Sequence, residues 1–301
     1  MKGRCDMKNQ SGVDLPAYAK INLYLDVTAR EENGYHKIES VMQRVSLCDR
    51  VTVSVSKGGQ RSIYIRCNLP YVPRDARNIA YRAAALFMDV TGVSAAVRIT
   101  LGKRIPVAGG MAGGSTDAAA VLRALNGLFG YPLSRARLTE LAGTLGSDVP
   151  FCLRGKTAVC TGYGEIMTGV RSKTPLCLLI VTGGENVSTP WAFEMLDNRY
   201  QNFNGRETDP ARLLRLTAAL ENGDAVTAAQ NMYNVFEDAI FPHRPRAARA
   251  KALLLENGAL GALMSGSGPT VFGVFPNADV RFRAGAALLE EGFTVREAYS
   301  L

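Results

Sequence analysis

The chain has 301 residues, of which 47% are hydrophobic and 21% are charged, and its formal net charge is +8. This composition is typical of a folded protein of about two domains and argues against long disordered regions. The opening stretch "MKGRCDMKNQSG" has no apolar core of the kind that a secretory signal needs, and apolar runs such as "PLCLLIV" are too short to span a bilayer. We therefore expect a cytoplasmic location, and we treat residues 1–14 as a leader with no assigned role.

The cysteines and the charge pattern indicate which metal sites and which binding partners suit this protein. The six cysteines are scattered and only two histidines are present, which is poor material for a zinc site and typical of reduced thiols. The positive charge suits an acidic partner such as a nucleotide, a phosphorylated metabolite or nucleic acid. The densest basic stretch, "HRPRAARAK" at residues 243–251, has the apolar spacing of a solvated helix face, and no basic–aromatic interleaving supports nucleic-acid readout.

The first predicted elements are strands. "AYAKINLYLDV" alternates, with Lys20, Asn22 and Tyr24 on the face opposite its aliphatic residues, and this predicts a half-buried strand. "DRVTVSVS" and "RSIYIRC" are predicted to be further strands on either side of the turn-forming "KGGQ". "NIAYRAAALFMDVTG" has helical spacing, with Asn78 as its N-cap and Gly92 at its end.

A strand over "AAVRITLGKRIP" then leads into a glycine-rich loop and a helix from about Ser115 to Phe129. Another helix begins at Ser134, and the strands "TAVCTG" and "PLCLLIVTG" follow. A change of composition near "MTGVRSKTP" predicts a domain boundary. The second half is mostly helical and ends through a second glycine cluster, "MSGSGPTVFGVF", in a strand; no internal repeat is visible.

The first glycine loop, "IPVAGGMAGGSTDAAA", places four glycines and a Ser-Thr pair in front of a helix. Glycine loses the most conformational freedom on folding, so this cluster needs a compensating reason. Ser115 stands where the Walker pattern needs lysine, and the glycine spacing does not match the dinucleotide fingerprint. Free amides at a helix N-terminus nevertheless favour an anion, and Ser115 or Thr116 could add a hydroxyl or a magnesium ligand. The alternative is a tight turn with close helix packing.

Two further residues could supply chemistry beside bound phosphates. Asp148 follows a helix in "LGSDVPF", and Lys20 lies on the polar face of the first strand. An aspartate can accept a hydroxyl proton, while a lysine offsets developing phosphoryl charge. Taken alone, Asp148 is also typical of a turn residue and Lys20 of an exposed residue with a buried stem.

Three stretches together resemble the signature motifs of the GHMP kinases. These are "AYAKINLYL", "IPVAGGMAGGSTDAAA" and "MSGSGPTVFGVF", in that order and at fitting distances. Within this superfamily, "AKINLYLDVTAREENGYHKIESV" and "GSDVPFCLRGKTAVCTGYGE" are similar to the family of 4-diphosphocytidyl-2-C-methyl-D-erythritol kinases, and the similarity runs through nearly the whole chain from Leu15 onward.

The resemblance implies a two-domain α/β (α+β) fold. Residues 15–169 would form a ribosomal S5 domain 2-like domain with the ATP phosphate loop and the catalytic residues, and residues 170–301 a ferredoxin-like domain. The implied reaction transfers the γ-phosphoryl group of ATP, with Mg2+, to the 2-hydroxyl of the cytidylyl methylerythritol substrate in the non-mevalonate route to isoprenoid precursors. The implied partners are small molecules and not nucleic acid or membrane, and the implied state is a monomer or homodimer.

The resemblance also assigns roles to individual residues. Lys20 and Asp148 take the catalytic positions. Asn78 and Lys103 match positions near the adenosine. The residues implied at the ATP phosphates are Pro106, Val107, Ala108, Gly109, Gly110, Met111, Ala112, Gly113, Gly114, Ser115 and Thr116. Those implied at the acceptor substrate are Asn22, Tyr35, His36 and Phe193, with the cytosine ring between Tyr35 and Phe193 and its edge bonded to His36.

The second glycine cluster, Ser265 to Thr270, has two interpretations. It is either a turn before a strand or, as the resemblance implies, a loop that folds against the triphosphate loop and closes the site. The chain departs from the family pattern at several positions, since Tyr18 stands where proline is usual, Met111-Ala112 where a leucine-glycine pair is usual, and Thr116 where serine is frequent. None of these changes removes a group that the chemistry needs.

Two other functions stay open from the sequence alone. A different small-molecule GHMP kinase, of the homoserine or mevalonate type, would change the acceptor but not the ATP chemistry. A nucleic-acid or ribosome-associated binding protein would fit the basic charge and the N-terminal fold. The combination of Lys20, Asp148 and two glycine clusters favours a kinase over a binding protein.

Overall fold

The computed structural model describes residues 10–57, 60–200, 203, 209 and 211–301. Its contacts divide the chain into two compact units that interleave along the sequence. Of the described residues, the first unit contains those up to Tyr18 together with those of Cys48–Arg104 and Gly113–Arg154, and the second contains those of Ala19–Leu47, Ile105–Ala112 and Gly155–Leu301. The predicted leader lies outside the described residues up to residue 9, and residues 10–14 belong to the first strand.

Two long strands contribute to both units, and the other elements of the first unit follow them in chain order. These elements are β1 (Gln10–Arg30), β2 (His36–Lys57), β3 (Ser62–Cys67), α1 (Ile79–Thr91), β4 (Ala95–Gly102), α2 (Gly113–Leu128), α3 (Arg135–Leu145) and α4 (Asp148–Arg154). The helices predicted over α1, α2 and α3 are confirmed with shifts of one or two residues at their ends. The predicted strands are also present, but β1 and β2 extend well beyond the predicted residues, β4 ends four residues earlier than predicted, and α4 was not predicted.

In the first unit, β4 lies between two partners. It pairs antiparallel with β2, from Arg50 opposite Gly102 to Lys57 opposite Ala95, and parallel with β3. Alternate β4 side chains are buried, and α1 packs against α2. Asn78 caps α1 by accepting a hydrogen bond from the Ala80 amide, and Gly92 ends the helix at φ +70°, as predicted.

The remaining elements belong to the second unit. They are β5 (Thr157–Thr161), β6 (Ile166–Gly169), β7 (Cys177–Thr182), α5 (Thr189–Arg199), α6 (Ala211–Asn222), α7 (Ala225–Gln230), β8 (Tyr233–Asn234), α8 (Phe236–Ile240), a 3-10 turn (Phe241–His243), α9 (Pro245–Glu256), β9 (Gly261–Met264), β10 (Val271–Phe275), α10 (Ala278–Glu290) and β11 (Thr294–Tyr299).

A four-stranded antiparallel sheet, ordered β11-β7-β10-β9, forms the centre of the second unit. Alternate residues of its inner strands enter two separate apolar cores, one around Leu179, Val181 and Phe275 and the other around Ile180 and Phe272. The inner strands β7 and β10 are therefore buried on both of their faces. The second unit also contains part of a seven-stranded sheet that includes β3 and β4, and in this part β1 pairs parallel with β8, and β5 pairs antiparallel with β2 and β6.

The segment of β1 that carries Lys20 departs from prediction. Alternation predicted a half-buried strand, but residues 19–27 are all buried, including Lys20 at 5% exposure and Asn22 at 1%. The polar side chains of this segment are hydrogen-bonded inside the protein, so alternation here marks a polar buried face and not a solvent face. Among the helices of the described part of the chain, none has the length and apolar character needed to cross a bilayer.

Candidate active site

The first glycine loop is anchored at both ends. Ile105 and Met111 are buried in the second unit's core, and the Lys20 amide donates to the Met111 carbonyl at 3.3 Å. Between and beside these anchors, Ala108, Gly110 and Ala112 all have positive φ angles, of 55°, 73° and 57°. Backbone that places left-handed residues among ordinary ones turns successive N–H groups toward one side and forms anion-binding concavities. The fold of the loop therefore suits phosphate binding.

The second glycine loop packs directly on the first. Ser265 Oγ donates to the Gly110 carbonyl at 3.0 Å. A Cβ atom at Gly110 would lie 2.1 Å from the Ser265 carbonyl oxygen, and one at Gly109 would lie 2.6 Å from Thr270 Oγ1. A side chain at Gly110 would collide with the backbone of Ser265, and one at Gly109 would collide with the side chains of Thr270 and Pro106, which explains both glycines. The prediction that the two loops pack together is confirmed.

Two buried polar residues hold the second glycine loop in place. Asn234 Nδ2 donates to the carbonyls of Met264, at 2.7 Å, and Gly266, at 2.8 Å. Glu237 accepts from the Met264 amide at 2.8 Å and pairs with Lys251 at 2.5 Å, while burial raises the pKa of its carboxyl group. Sequence analysis missed both residues, because neither belongs to a motif and their partners are distant in the sequence.

Beyond the first loop, α2 begins at Gly113, two residues before the predicted start. Its first turn contains exposed Gly114, half-buried Ser115 and buried Thr116. Thr116 Oγ1 donates to the Tyr18 carbonyl at 2.7 Å, so this hydroxyl ties the helix to β1 within the first unit. The first amides of a helix have no acceptor inside the helix and attract anions.

Lys103, predicted near the adenosine, lies in a buried charge cluster of the first unit. Its Nζ donates to Asp49, to Asp117 Oδ2 at 2.7 Å and to the Gly113 carbonyl at 3.2 Å. Two carboxylates face one ammonium group. Burial and the negative charge of Asp49 raise the pKa of Asp117 to about 7, although the positive charge of Lys103 acts to lower it. The cluster fixes the first turn of α2, and a role for Lys103 at the nucleotide stays a prediction.

Asn78, also predicted near the adenosine, uses both polar atoms of its side chain locally. Oδ1 accepts from the Ala80 amide at 2.9 Å, and Nδ2 donates to the Pro73 carbonyl at 2.7 Å. These bonds fix the start of α1 and the loop before it. Contact of Asn78 with a nucleotide stays a prediction.

In the second unit, Lys20 is oriented by a chain of side-chain hydrogen bonds. Lys20 Nζ donates to Asn22 Oδ1 at 2.7 Å, and Asn22 Nδ2 donates to Ser40 Oγ at 2.8 Å. Ser40 Oγ in turn donates to the Tyr24 carbonyl at 2.6 Å. The chain fixes the rotamer of Asn22 and holds the ammonium group beside the strand that contacts the first glycine loop.

Asp148, in the first unit, is half-buried and is the first residue of α4. The Val149 amide donates to the Gly146 carbonyl at 3.1 Å across Asp148, so a turn leads directly into the helix, and both the turn interpretation and the catalytic role stay predictions. A carboxylate in the first helical turn is favoured by the partial positive charge of the helix N-terminus.

The residues predicted at the cytosine form two ring pairs in the second unit. His36 stacks on Phe193 with 4.5 Å between ring centroids, and His36 Nε2 lies 2.7 Å from Asp197 Oδ1. Tyr35 is 66% exposed and meets Tyr163 edge-on at 5.7 Å. Sequence analysis missed Asp197 and Tyr163, which no motif marks. The predicted sandwich between Tyr35 and Phe193 stays a prediction, since in this structure His36 lies on a face of Phe193.

Comparison with known proteins agrees with this geometry. The family described as GHMP kinases N terminal domain matches residues 78–156, and that described as GHMP kinases C terminal matches residues 216–293. A 4-diphosphocytidyl-2-C-methyl-D-erythritol kinase of Caldicellulosiruptor saccharolyticus is 42% identical over 263 residues, covering 87% of this chain and 88% of the relative. The chain belongs to the 4-diphosphocytidyl-2-C-methyl-D-erythritol kinase family.

Two more members of this kinase family support the assignment. The Clostridium perfringens kinase is 40% identical over 265 residues, covering 87% of this chain and 88% of the relative. A crystal structure titled 4-(cytidine 5'-diphospho)-2C-methyl-D-erythritol kinase superimposes with a TM-score of 0.79 at 32% identity, covering 96% of this chain and 99% of that one. The two-domain GHMP kinase fold is confirmed. The predicted boundary at residues 169 and 170 lies between the two matched ranges and stays a prediction.

Proposed function

We propose that this GHMP kinase uses ATP to phosphorylate the 2-hydroxyl of 4-diphosphocytidyl-2-C-methyl-D-erythritol, a step of non-mevalonate isoprenoid precursor synthesis. The observation that carries the proposal is the 42% identity, over 87% of the chain, with a relative named for this substrate. It favours the cytidylyl acceptor over homoserine or mevalonate. We also propose a cytoplasmic location and no nucleic-acid partner.

The ATP phosphates are assigned to residues 106–116. Three left-handed residues shape the loop, the second glycine loop supports it at Gly110, and the first turn of α2 follows. Mg2+ would be carried mainly by the ATP oxygens, where it neutralises phosphoryl charge, and needs few protein ligands. Of the two hydroxyls, Ser115 is the better candidate ligand, because Thr116 is buried and its hydroxyl is bonded to the Tyr18 carbonyl.

Lys20 and Asp148 are assigned to the chemical step. The carboxylate of Asp148 would accept the proton of the 2-hydroxyl while that oxygen forms its bond to the γ-phosphorus and the bond to the ADP oxygen breaks. Lys20, held by Asn22, would offset negative charge on the transferred group. Phosphoryl transfer leaves little covalent work to the protein, so positioning and electrostatics carry most of the rate.

The cytidine end is assigned to Tyr35, His36 and Phe193. Asp197 bonds the His36 ring and fixes its orientation, and Tyr35 offers an exposed ring edge-on to Tyr163. Stacking of a base on an aromatic ring contributes about 1–3 kcal/mol. Exposed Tyr35 can therefore stack on a ring that arrives from solution.

The test measures ADP release by the purified protein with a panel of acceptors. We expect turnover with the cytidylyl methylerythritol substrate, inhibition by cytidine diphosphate that competes with this acceptor, and little inhibition by uridine diphosphate. Tyr35→Ala should weaken acceptor binding roughly tenfold or more without changing the KM for ATP. Tyr64→Ala, at a tyrosine that is also mostly exposed, serves as the control.

Two results would contradict the proposal. Efficient phosphorylation of homoserine or mevalonate, without cytidine competition, would reject the cytidylyl acceptor and keep the kinase. RNA binding in a salt series without ATP consumption would favour the nucleic-acid alternative.

A further inference from the structure

A second concave site lies in the first unit and contains none of the residues assigned to the reaction. It is a cavity of about 1050 Å³ formed by the C-terminal half of α2, the turn into α3, the end of α4 and the start of β1. Cavities of this size hold ligands as large as drug molecules or cofactors. The proposed function gives it no role.

One part of the lining is apolar. Tyr131 projects from the turn between α2 and α3, with 76% of its surface exposed and φ at +61°. The aliphatic side chains that surround the cavity come from five separate elements or turns and are half-buried or buried: Val13, Leu15, Leu128, Leu133, Leu138 and Leu153. Such a lining binds the hydrocarbon body of a ligand.

The charged residues of the lining are all positive. Arg123, Arg135 and Arg154 all line the cavity, and of the described residues around it none is acidic. Within the described part of the chain, no ion pair involves these three arginines, whereas neighbouring Arg137 is paired with Glu140 at 2.8 Å. The cavity therefore carries an uncompensated positive charge of three on an apolar wall.

The guanidinium group of Arg123 has only part of its hydrogen-bonding capacity satisfied. Its Nη2 donates to the Pro16 carbonyl at 3.2 Å, but its Nε is buried and has no hydrogen-bond partner among the described residues. Burial lowers the pKa of this guanidinium group, which is the direction expected when a charge is desolvated without a counter-charge. The guanidinium group that lines this cavity is therefore only partly satisfied by the described residues.

We propose that this cavity binds an organic phosphate with an apolar body, meaning an aliphatic chain that ends in a phosphoryl or diphosphoryl group. Guanidinium groups match phosphate oxygens with paired hydrogen bonds, and three arginines suit a head of more than one negative charge better than a single carboxylate. Ser134, which also lines the cavity, is the N-cap of α3, so the helix dipole adds to the attraction.

The site also shares a helix with the phosphate-binding segment. Arg123 and Ser115 lie eight residues apart on α2, or roughly 12 Å along its axis. A ligand held by Arg123 therefore contacts the same rigid element that carries Ser115. Binding of an organic phosphate in this cavity can be measured without any assumption about the kinase reaction. A negative result would therefore reject this proposal and leave the proposed function untouched.

The test is a calorimetric titration of the purified protein with octyl phosphate. We expect saturable binding of one molecule, with much weaker binding of inorganic phosphate, which lacks the chain, and of octyl glucoside, which lacks the charge. Arg135→Gln and Arg154→Gln, both at exposed positions, should each weaken binding roughly tenfold, the usual scale for one charge-assisted hydrogen bond. Arg137 lies on α3, as Arg135 does, but outside the cavity, so Arg137→Gln should leave the affinity for octyl phosphate unchanged.

Several results would overturn the proposal. They are the absence of saturation, equal binding of octyl glucoside, and unchanged binding in both arginine variants. Displacement of octyl phosphate by ATP and magnesium would place the ligand at the nucleotide site instead. Binding of phosphatidic acid vesicles, without binding of soluble octyl phosphate, would make the surface a membrane contact and not a ligand site.

Discussion

The contact between the two glycine loops can be tested by one added methyl group. Gly110→Ala introduces a Cβ that would lie 2.1 Å from the Ser265 carbonyl oxygen and 3.2 Å from the Gly268 nitrogen, at a φ of +73°. The left-handed conformation costs about 1–2 kcal/mol for a residue with a side chain. Forced overpacking against backbone adds about 1–3 kcal/mol, because the carbonyl cannot rotate away as a flexible side chain could.

Gly223→Ala is the matched control in the same unit. Gly223 has a φ of +83°, and nothing lies within 4 Å of its added Cβ. Alanine lowers the entropy of the unfolded chain equally in both variants, so this effect cancels in the comparison. We expect Gly110→Ala to lower the free energy of unfolding by about 1–3 kcal/mol more than Gly223→Ala does.

Urea denaturation of both variants measures this difference, and steady-state kinetics gives the KM for ATP. If the loop binds phosphate, Gly110→Ala should also raise that KM, because the loop must move away from Ser265, while Gly223→Ala should leave it unchanged. Equal stability of the two variants would refute the loop contact. A stability loss at Gly110 with an unchanged KM would keep the contact and assign the glycines to packing alone.

The remaining predictions concern charge and positioning. Asp148→Asn should lower kcat by roughly 10²–10⁴ with little change in ATP binding, and a variant that keeps most of its turnover would exclude the residue from the mechanism. Asn22→Leu removes one acceptor of Lys20 Nζ and should lower kcat roughly 10–100-fold, with the KM for ATP nearly unchanged; an unaltered kcat would mean that this bond does not position the lysine. The folded-state pKa of Asp117, about 7, exceeds its ordinary value of 3.8, so the folded protein holds the extra proton and its stability should fall as pH rises from 4 to 7. Asp117→Asn should flatten that slope in melting temperatures across this pH range, and exposed Asp89→Asn should not.

Local rules predicted the features that depend on neighbours in sequence. The ends of α1 follow from an asparagine that can accept from the second amide and a glycine that can adopt a positive φ. The first glycine loop could be predicted from the sequence because its residues are contiguous. Helix α2 begins two residues before the predicted start. Gly113 and Gly114 are poor helix formers, but tertiary contacts hold them in the first turn of the helix.

Features that depend on distant partners could not be predicted. Alternation in β1 predicted its two faces but not that both are buried, because Asn22 finds Ser40 eighteen residues away. Lys103 reaches Asp49 over 54 residues, and His36 reaches Asp197 over 161. A single sequence contains no periodicity that connects such pairs, and a charged residue in it is expected on the surface. The same reasoning explains why Asn234, which supports the second glycine loop, was missed.

The departure at Met111-Ala112 shows how the loop keeps its shape. Ala112 has a φ of +57° where a glycine is usual in the family that the sequence resembles, and Ala108 also has a positive φ. Strained residues persist only where their surroundings determine the backbone. Here Met111 is buried in the core and its carbonyl accepts from the Lys20 amide, while the Gly110 carbonyl accepts from Ser265. These contacts are made at Gly110 and Met111, the two residues before Ala112, and they fix the backbone of the loop. If the loop binds phosphate, as proposed, it has little conformational freedom left to lose when the ligand binds.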